Sequence, residues 1–343
     1  MGGGIRCEVT SGSYNLKGLK ISVVIPSRRD DPQLQRCLDA LLTALPVGHE
    51  VILVGDGWEP VPAIPKGYET SVRVLRLEKS GPAACRDLGA RHAAHDWLCF
   101  VDSDVLVHED AIAKSISILT RTGDAGLIGS YDDKPEDPGI VSRFRNLLHH
   151  YHHQRNAGMA GVFWGAFGIV RKSAYLDAGG FDSSYRDASV EDIDLGYRLA
   201  EKGHRVVLRP EVQVTHLKRW TLPGMVRTDV LLRAKPWTLL LHRYRNLHHG
   251  GLNASSRERL SATASISALL SLFLSLAGIL PLYVPGIILA SFMILQRDFY
   301  SFIMNRVSAA SWLTVILLHQ VYFLSAVSGW LLARFEIAVN KKE

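Results

Sequence analysis

The sequence predicts an α/β sheet domain followed by C-terminal apolar helices, and three observations carry that expectation. Short β-branched runs alternate with segments of helical spacing over the first part of the chain. Three of these runs end in polar punctuation, at Pro26/Ser27, at Asp56 and at the pair Asp102/Asp104. Two long stretches, residues 261–296 and 307–333, carry no Lys, Arg, Asp or Glu.

The elements follow in order. KISVVIPSRRD (20–30) is a β-branched run ending at a proline, a buried strand opening into a loop. Residues 32–45 place Leu34, Leu38, Leu41, Leu42 and Leu45 at helical spacing. EVILVGDGW (50–58) is a second strand, ending at Asp56, and VRVLRLE (72–78) alternates as a third. Residues 80–97 open with a turn and continue with helical composition; LCFVDSD is a fourth strand. Strands alternating with helices predict parallel pairing, and ligands of such sheets bind at the carboxyl ends of the strands. Beyond a helix over 111–120 the pattern loosens. Residues 132–139 form a loop by composition, VSRFRNLLHHYHHQ a helix, and FWGAFGIV a glycine-punctuated apolar run. EDIDLGYRLAEKGH is a helix ending near Gly203, and HRVVLRPEVQVTHL supplies one or two strands. The expected divisions are an N-terminal extension (1–19), the sheet domain (20–258), a membrane region of two or three helices (259–336) and a basic tail (337–343).

Residues 261–296 would extend about 54 Å as one helix, against a hydrocarbon core of about 30 Å. Either the chain folds back at Pro281–Pro285, or an interfacial helix leads into one span. Residues 307–333 make a single span. Arg334, Lys341 and Lys342 favour a cytosolic tail, hence two spans rather than three. RDFYSFIMNR suits the interface through Phe299, Tyr300 and Phe302. The net charge is +6, with much of the surplus at Arg227, Arg233, Lys235, Arg243, Arg245, Arg257 and Arg259. Cations beside spans mark the cytoplasmic side and attract anionic lipid; no motif supports nucleic acid as partner. The N-terminus has no apolar signal-peptide core, and Arg6 stands where a myristoylation signal wants Ser or Thr. Cys7, Cys37, Cys85 and Cys99 are scattered and read as reduced thiols.

Asp102 and Asp104, one residue apart on a loop leaving a strand, can present oxygens to a hard cation such as Mg²⁺ or Mn²⁺. They could equally cap the helix starting near Asp110. Glu191–Asp192 is a second acidic site, and Ser189-Val-Glu-Asp192 also fits a capping box. His149 and His153 stand at i, i+4 with no carboxylate or cysteine to complete a site, which favours an acceptor-side or membrane-facing amphipathic helix.

Taken in order, these motifs resemble glycosyltransferase family 2, the inverting GT-A enzymes that use nucleotide sugars, over about residues 20–258. VVIPSRRD looks like the opening strand and nucleotide loop, bringing Pro26, Ser27 and Arg28. VILVGDGW looks like the strand ending in an acid pair before Gly-Ser, with Gly55 for the first acid, Trp58 for the Ser, and Asp56 retained. GPAACRDLG looks like a helix start bearing Arg86, with Asp87 in an Asn place; FVDSD looks like the metal-binding DxD. GGFDSSYRDASVEDIDLGYRL looks like the acceptor loop and the catalytic Glu-Asp. FWGAFGIVRKSAYLDAGGFDSSYR, HLKRWTL, TDVLLRAKPWTLLL and RDFYSFI resemble a bacterial membrane-associated subgroup.

The resemblance implies roles residue by residue. Asp56 would accept a uracil N3–H, and Arg86 would pair with the nucleotide. Asp102 and Ser103 would contact ribose or metal, Asp104 would be the closer ligand of a Mn²⁺ or Mg²⁺ ion, and His216 a third. Asp192, next to Glu191, would be the general base. Trp164 and Gly165 would approach sugar or acceptor. Arg219 and Trp220 would lie near an acceptor channel, since HLKRW resembles Q-x-x-R-W of processive members with His216 for the Gln. The implied function is a multi-pass, inner-membrane inverting glycosyltransferase with its catalytic domain in the cytosol. It would pass a sugar from a nucleotide-sugar donor, UDP-linked, to a hydroxyl of a lipid-linked, glycolipid or polysaccharide acceptor. The alternatives are a polyprenyl-phosphate glycosyltransferase and a non-catalytic membrane scaffold. A dinucleotide-dependent oxidoreductase is disfavoured because no G-x-G-x-x-G follows the first strand.

Overall fold

The computed structural model describes residues 19–28, 32–57, 64, 72–158, 161–244 and 255–340. The expected extension over 1–18, Trp58, Arg245, and Lys341 and Lys342 of the basic tail lie outside the described residues. The strands are β1 (Ile21–Ser27), β2 (Glu50–Asp56), β3 (Val72–Leu77), β4 (Trp97–Val101), β5 (Val105–Val107), β6 (Gly126–Tyr131), β7 (Phe167–Arg171) and β8 (Val206–His216). They form one sheet in the order β3-β2-β1-β4-β7-β6-β8-β5.

β1 pairs in parallel with both β2 and β4, Val23 lying beside Val51 and Cys99. Every residue of β1 and β4 is buried, as expected of strands covered on both faces and rich in Val, Ile and Phe. The helices around them are α1 (Pro32–Ala44), α2 (Pro82–His92), α3 (Ala111–Thr122), α5 (Lys172–Asp177) and α6 (Glu191–Glu201). The expectation of parallel pairing holds for β1 to β4 and for β6 with β8, and fails at β7 and β5. β7 runs antiparallel to β4 and to β6, and β5 antiparallel to β8. The reason lies in the acid pair: the chain turns directly from β4 into β5 through Asp102–Asp104, without a helical crossover, the Val105 N–H donating to the Asp102 carbonyl at 3.2 Å. The apolar triplet after the acids is therefore a strand. Its register sets Val105 beside His216.

α4 (Ile140–Arg155) lies between the sheet and the C-terminal helices. These are α7 (Leu222–Arg227), a π-helical turn (Thr228–Ala234), α8 (Lys235–Arg243), α9 (Ser256–Leu276), α10 (Tyr283–Leu295), α11 (Arg297–Met304) and α12 (Trp312–Asn340). The chain folds back between α9 and α10. Among the described residues, Ser256–Leu276 and Ala309–Asn340 are long and apolar enough to cross a membrane, while α10 and α11 are bent by 76°.

Two sequence expectations are corrected here. α4 is not a membrane-facing amphipathic helix: His150, His152 and His153 are buried, and His150 Nδ1 lies 2.8 Å from the Tyr131 carbonyl. Phe299 and Tyr300 of α11 do not face outward as expected: with Ile303 they are buried in one cluster with Phe144, Leu147 and Tyr151 of α4 and Val315 and Phe323 of α12. Phe302 lies beside His150, ring centroids 5.7 Å apart. An Arg155–Asp298 ion pair at 2.9 Å ties α4 to α11 at its edge.

Candidate active site

A cleft of about 480 Å³ opens at the carboxyl ends of β1, β2 and β4, the edge marked by the polar punctuation. At one end Pro26, Ser27 and Arg28 leave β1 and line it. Asp56, at the end of β2, is buried. Its Oδ1 accepts the Ser80 and Gly81 N–H groups at 2.6 and 3.1 Å, while its Oδ2 has no hydrogen-bond partner and lies 3.7 Å from Arg28 Nε.

Arg86 stands at the centre. The resemblance implies a cation near the start of α2 that pairs with the nucleotide. Instead it is buried, its Nη2 2.6 Å from Asp102 Oδ1 and its Nη1 2.8 Å from Glu191 Oε1. Glu191 also accepts the Ser189 N–H at 2.7 Å. The expected capping box is not made: Ser189 Oγ donates to the Leu232 carbonyl at 2.9 Å, and α6 starts without a side-chain cap. Glu191 is thus occupied in holding Arg86 and the start of α6. Its neighbour Asp192 is half-buried, its Oδ2 accepting the Gly165 N–H at 3.0 Å. Burial, then the adjacent Glu191 carboxylate, pushes Asp192 up to about 6 against the pull of Arg233, the Gly165 N–H and Arg86. Gly165 is required by close approach, because a Cβ there would sit 3.1 Å from the Arg86 guanidinium carbon.

The DxD acids part company. Asp102 is turned to Arg86, whereas Asp104 Oδ2 lies 3.4 Å from His216 Nε2. His216 Nδ1 lies 3.0 Å from Asn146 Oδ1, an acceptor, so Nδ1 carries a proton and Nε2 is the nitrogen turned to Asp104. The imidazole is stacked on Tyr131 at 4.5 Å. Burial would raise the Asp104 carboxyl; His216 and Lys218 outweigh it and hold it below its ordinary value. One carboxylate oxygen and one imidazole nitrogen at this spacing fit a divalent cation, and no group of three acidic, His or Cys side chains forms a metal cluster among the described residues. The helix-capping role for the acids is not seen, since Asp110 itself stands at the N-cap of α3.

On the far side, Trp164 and Trp220 are both buried and line the cleft. Trp164 packs edge-on to Tyr131 at 4.7 Å, and the Trp220 backbone N–H donates to Ser142 Oγ at 2.7 Å. Arg219 does not join them. Its side chain is 82% exposed, and its nearest acid is Asp137 at 3.8 Å. Ser103 lines the cleft between the acids. Sequence reasoning missed Tyr131, Lys218, Arg227 and Arg233, all of which line it. Arg227 and Arg233 are therefore cleft residues, the first exposed and the second half-buried. The available signal was their spacing around the TDVLLRA stretch.

Residues 22–178 match the family described as Glycosyl transferase family 2. The chain is 24% identical over 222 residues to an uncharacterized glycosyltransferase of Haemophilus influenzae, covering 61% of this chain and 71% of that one. It is 31% identical over 211 residues to a pre-mycofactocin glycosyltransferase of Mycobacterium tuberculosis, covering 59% of this chain but only 43% of the relative. Its fold is similar to that of a mannosyltransferase from Pyrobaculum calidifontis solved with GDP-Man and Mn²⁺, at TM-score 0.59 and 17% identity, over 91% of this chain and 86% of that one. The strand-end acids, the mixed sheet and these matches converge: residues 22–178 match glycosyltransferase family 2, in a sheet domain of GT-A-like fold followed by apolar C-terminal helices.

Proposed function

We propose that this protein is an inverting glycosyltransferase that moves a sugar from a UDP-linked donor to a hydroxyl of a lipid-linked, glycolipid or polysaccharide acceptor at the cytoplasmic face of the inner membrane. The observation that carries the reading is Asp192. It is the one cleft acid of the Glu-Asp pair left unneutralised by Arg86, and its raised proton affinity suits a base that works near neutral pH.

In this mechanism Asp56 Oδ2 accepts the uracil imide N–H, and Arg28 and Ser27 flank the nucleotide. Arg86 sets the spacing of Asp102 and Glu191, so that Asp102 can meet the ribose. Asp192 takes the proton from the acceptor hydroxyl as its oxygen attacks the anomeric carbon; the bond to the diphosphate breaks, and the nucleoside diphosphate leaves with the electron pair. Asp104 and His216 would hold a divalent cation, Mn²⁺ or Mg²⁺, which supplies positive charge opposite the diphosphate. Trp164 and Trp220 offer aromatic faces to a sugar. Orientation is supported by the cations: Arg257 and Arg259 open α9 and Arg334 lies toward the end of α12, all at one end of the helical pair.

The test is transfer and UDP binding by Asp192→Asn in the full chain. Transfer is expected to vanish while UDP affinity stays at the wild-type level. Full transfer would overturn the hydroxyl-acceptor mechanism and favour a polyprenyl-phosphate acceptor, which is already an anion and needs no base.

A further inference from the structure

The cleft does not end at its tryptophans. Two of its wall residues, His149 and Arg233, also line a second cavity of about 210 Å³. Thr238, Leu241, Tyr322 and Ala326 of that cavity in turn line a third hollow, of about 1040 Å³, bounded by α8, α9 and α12. A continuous set of shared walls thus runs from Asp192 to the flank of the apolar helices.

The chemistry changes along this route. The outer hollow is walled by Ile266, Val327, Trp330 and Leu331, with Arg259 and Arg334 also lining it. Such walls offer hydrocarbon contact and few hydrogen bonds, which suits an alkyl chain and does not suit a glycan. At the neck two arginines face the cavity. Arg145 is neutralised by Asp229 at 2.7 Å, and its guanidinium lies over Trp220 and Tyr322 at 5.4 and 5.8 Å. Arg233 is half-buried and forms no ion pair or hydrogen bond among the described residues. It sits on the π-helical turn, an irregularity that re-aims side chains and is frequent at functional sites. A half-buried, unpaired guanidinium at the inner end of an apolar groove calls for an anion.

We propose that the groove between α8, α9 and α12 takes the hydrocarbon chain of a lipid-linked acceptor, with the lipid phosphate held by Arg233 at the neck. The acceptor then reaches Asp192 from the membrane side of the cleft. This rests on the glycosyltransferase reading above and names its acceptor as a saccharide carried on a lipid phosphate or diphosphate, whose hydroxyl reaches Asp192.

The test uses the full chain in a neutral detergent, with hexadecyl phosphate as probe and hexadecanol and inorganic phosphate as comparisons. UDP binding with Mn²⁺ is measured in parallel. The wild type is expected to bind hexadecyl phosphate at least about tenfold more tightly than either comparison. Arg233→Gln should erase the preference for the phosphate over the alcohol. Ala326→Phe narrows the neck and Ile266→Trp fills the outer groove; each should weaken hexadecyl phosphate by about tenfold or more. Equal binding of phosphate and alcohol by the wild type would mean annular lipid only and overturns the proposal. Wild-type affinity in both Ala326→Phe and Ile266→Trp overturns it as well. Hexadecyl phosphate binding without UDP binding would sink the nucleotide-sugar reading and leave the groove standing; UDP binding without hexadecyl phosphate binding would sink the groove alone.

Discussion

Asp192 pays for its role in stability. Its ordinary value is 3.8 and its folded value about 6, so the folded chain holds this proton more tightly than the unfolded chain does. Stability therefore falls as pH rises through that window, and the loss is complete at neutral pH. Asp192→Asn should unfold at higher denaturant at pH 7, by about 1–3 kcal/mol, with no gain at pH 3. An equal gain at both pH values would show that the carboxylate is not strained by burial. Wild-type transfer should likewise fall as pH drops below about 6, where the base is protonated. Gly165 makes a sharper demand. Gly165→Ala drives a methyl group against the Arg86 guanidinium and so displaces both acids that Arg86 holds. The guanidinium must give by a few tenths of an ångström, so transfer is expected to fall by about tenfold, short of the roughly 100-fold of a full ångström misplacement, with the unfolding midpoint little changed; normal turnover would remove Arg86 as the spacer of the site.

At the level of elements, the contact between α4 and the π-helical turn is the one to probe. Arg145 and Asp229 are both buried, and α12 packs on the turn so closely that a Cβ at Gly329 would lie 2.7 Å from the Val230 carbonyl. Arg145→Met leaves Asp229 charged and unpaired, and should cost about 3–5 kcal/mol, whereas Arg145→Met with Asp229→Leu should recover most of it. Denaturant unfolding in detergent measures both; a single variant as stable as the wild type would show the pair to be incidental. Elements differ in how far they could be read beforehand. β1, β2 and β4 couple an apolar run to a polar stop, so both strand and site edge were legible. β6 carries two glycines in six residues and gave no periodic signal. Arg86 was read as a partner of the nucleotide, and its acid partners stayed hidden because they lie 16 and 105 residues away, where no local pattern reports such convergence. Asp104 and His216 could be paired only through the family resemblance. The β5–β8 register that joins them is three residues long, too short to read from sequence.

On the scale of the whole molecule, the apolar helices are part of the structure and not a leash. α4 gives Phe144, Leu147 and Tyr151 to a cluster completed by α11 and α12. A chain ending at residue 254 should therefore expose that face and elute as aggregate in size-exclusion chromatography without detergent; a monodisperse, UDP-binding fragment would show the sheet domain to be self-sufficient. Most of the basic surplus had a readable sign and an unreadable address: Arg257 and Arg259 border the apolar helices as expected, yet Arg233 is half-buried in the cleft wall and Arg227 stands exposed at it. Because α4 locks the cleft to the helical pair, the active site has a fixed height and tilt relative to the bilayer in which those helices would sit. For the lipid-linked acceptor proposed above, the search becomes a two-dimensional one. Turnover would follow the mole fraction of acceptor in the membrane, and diluting the bilayer with inert lipid would slow the enzyme at constant bulk concentration.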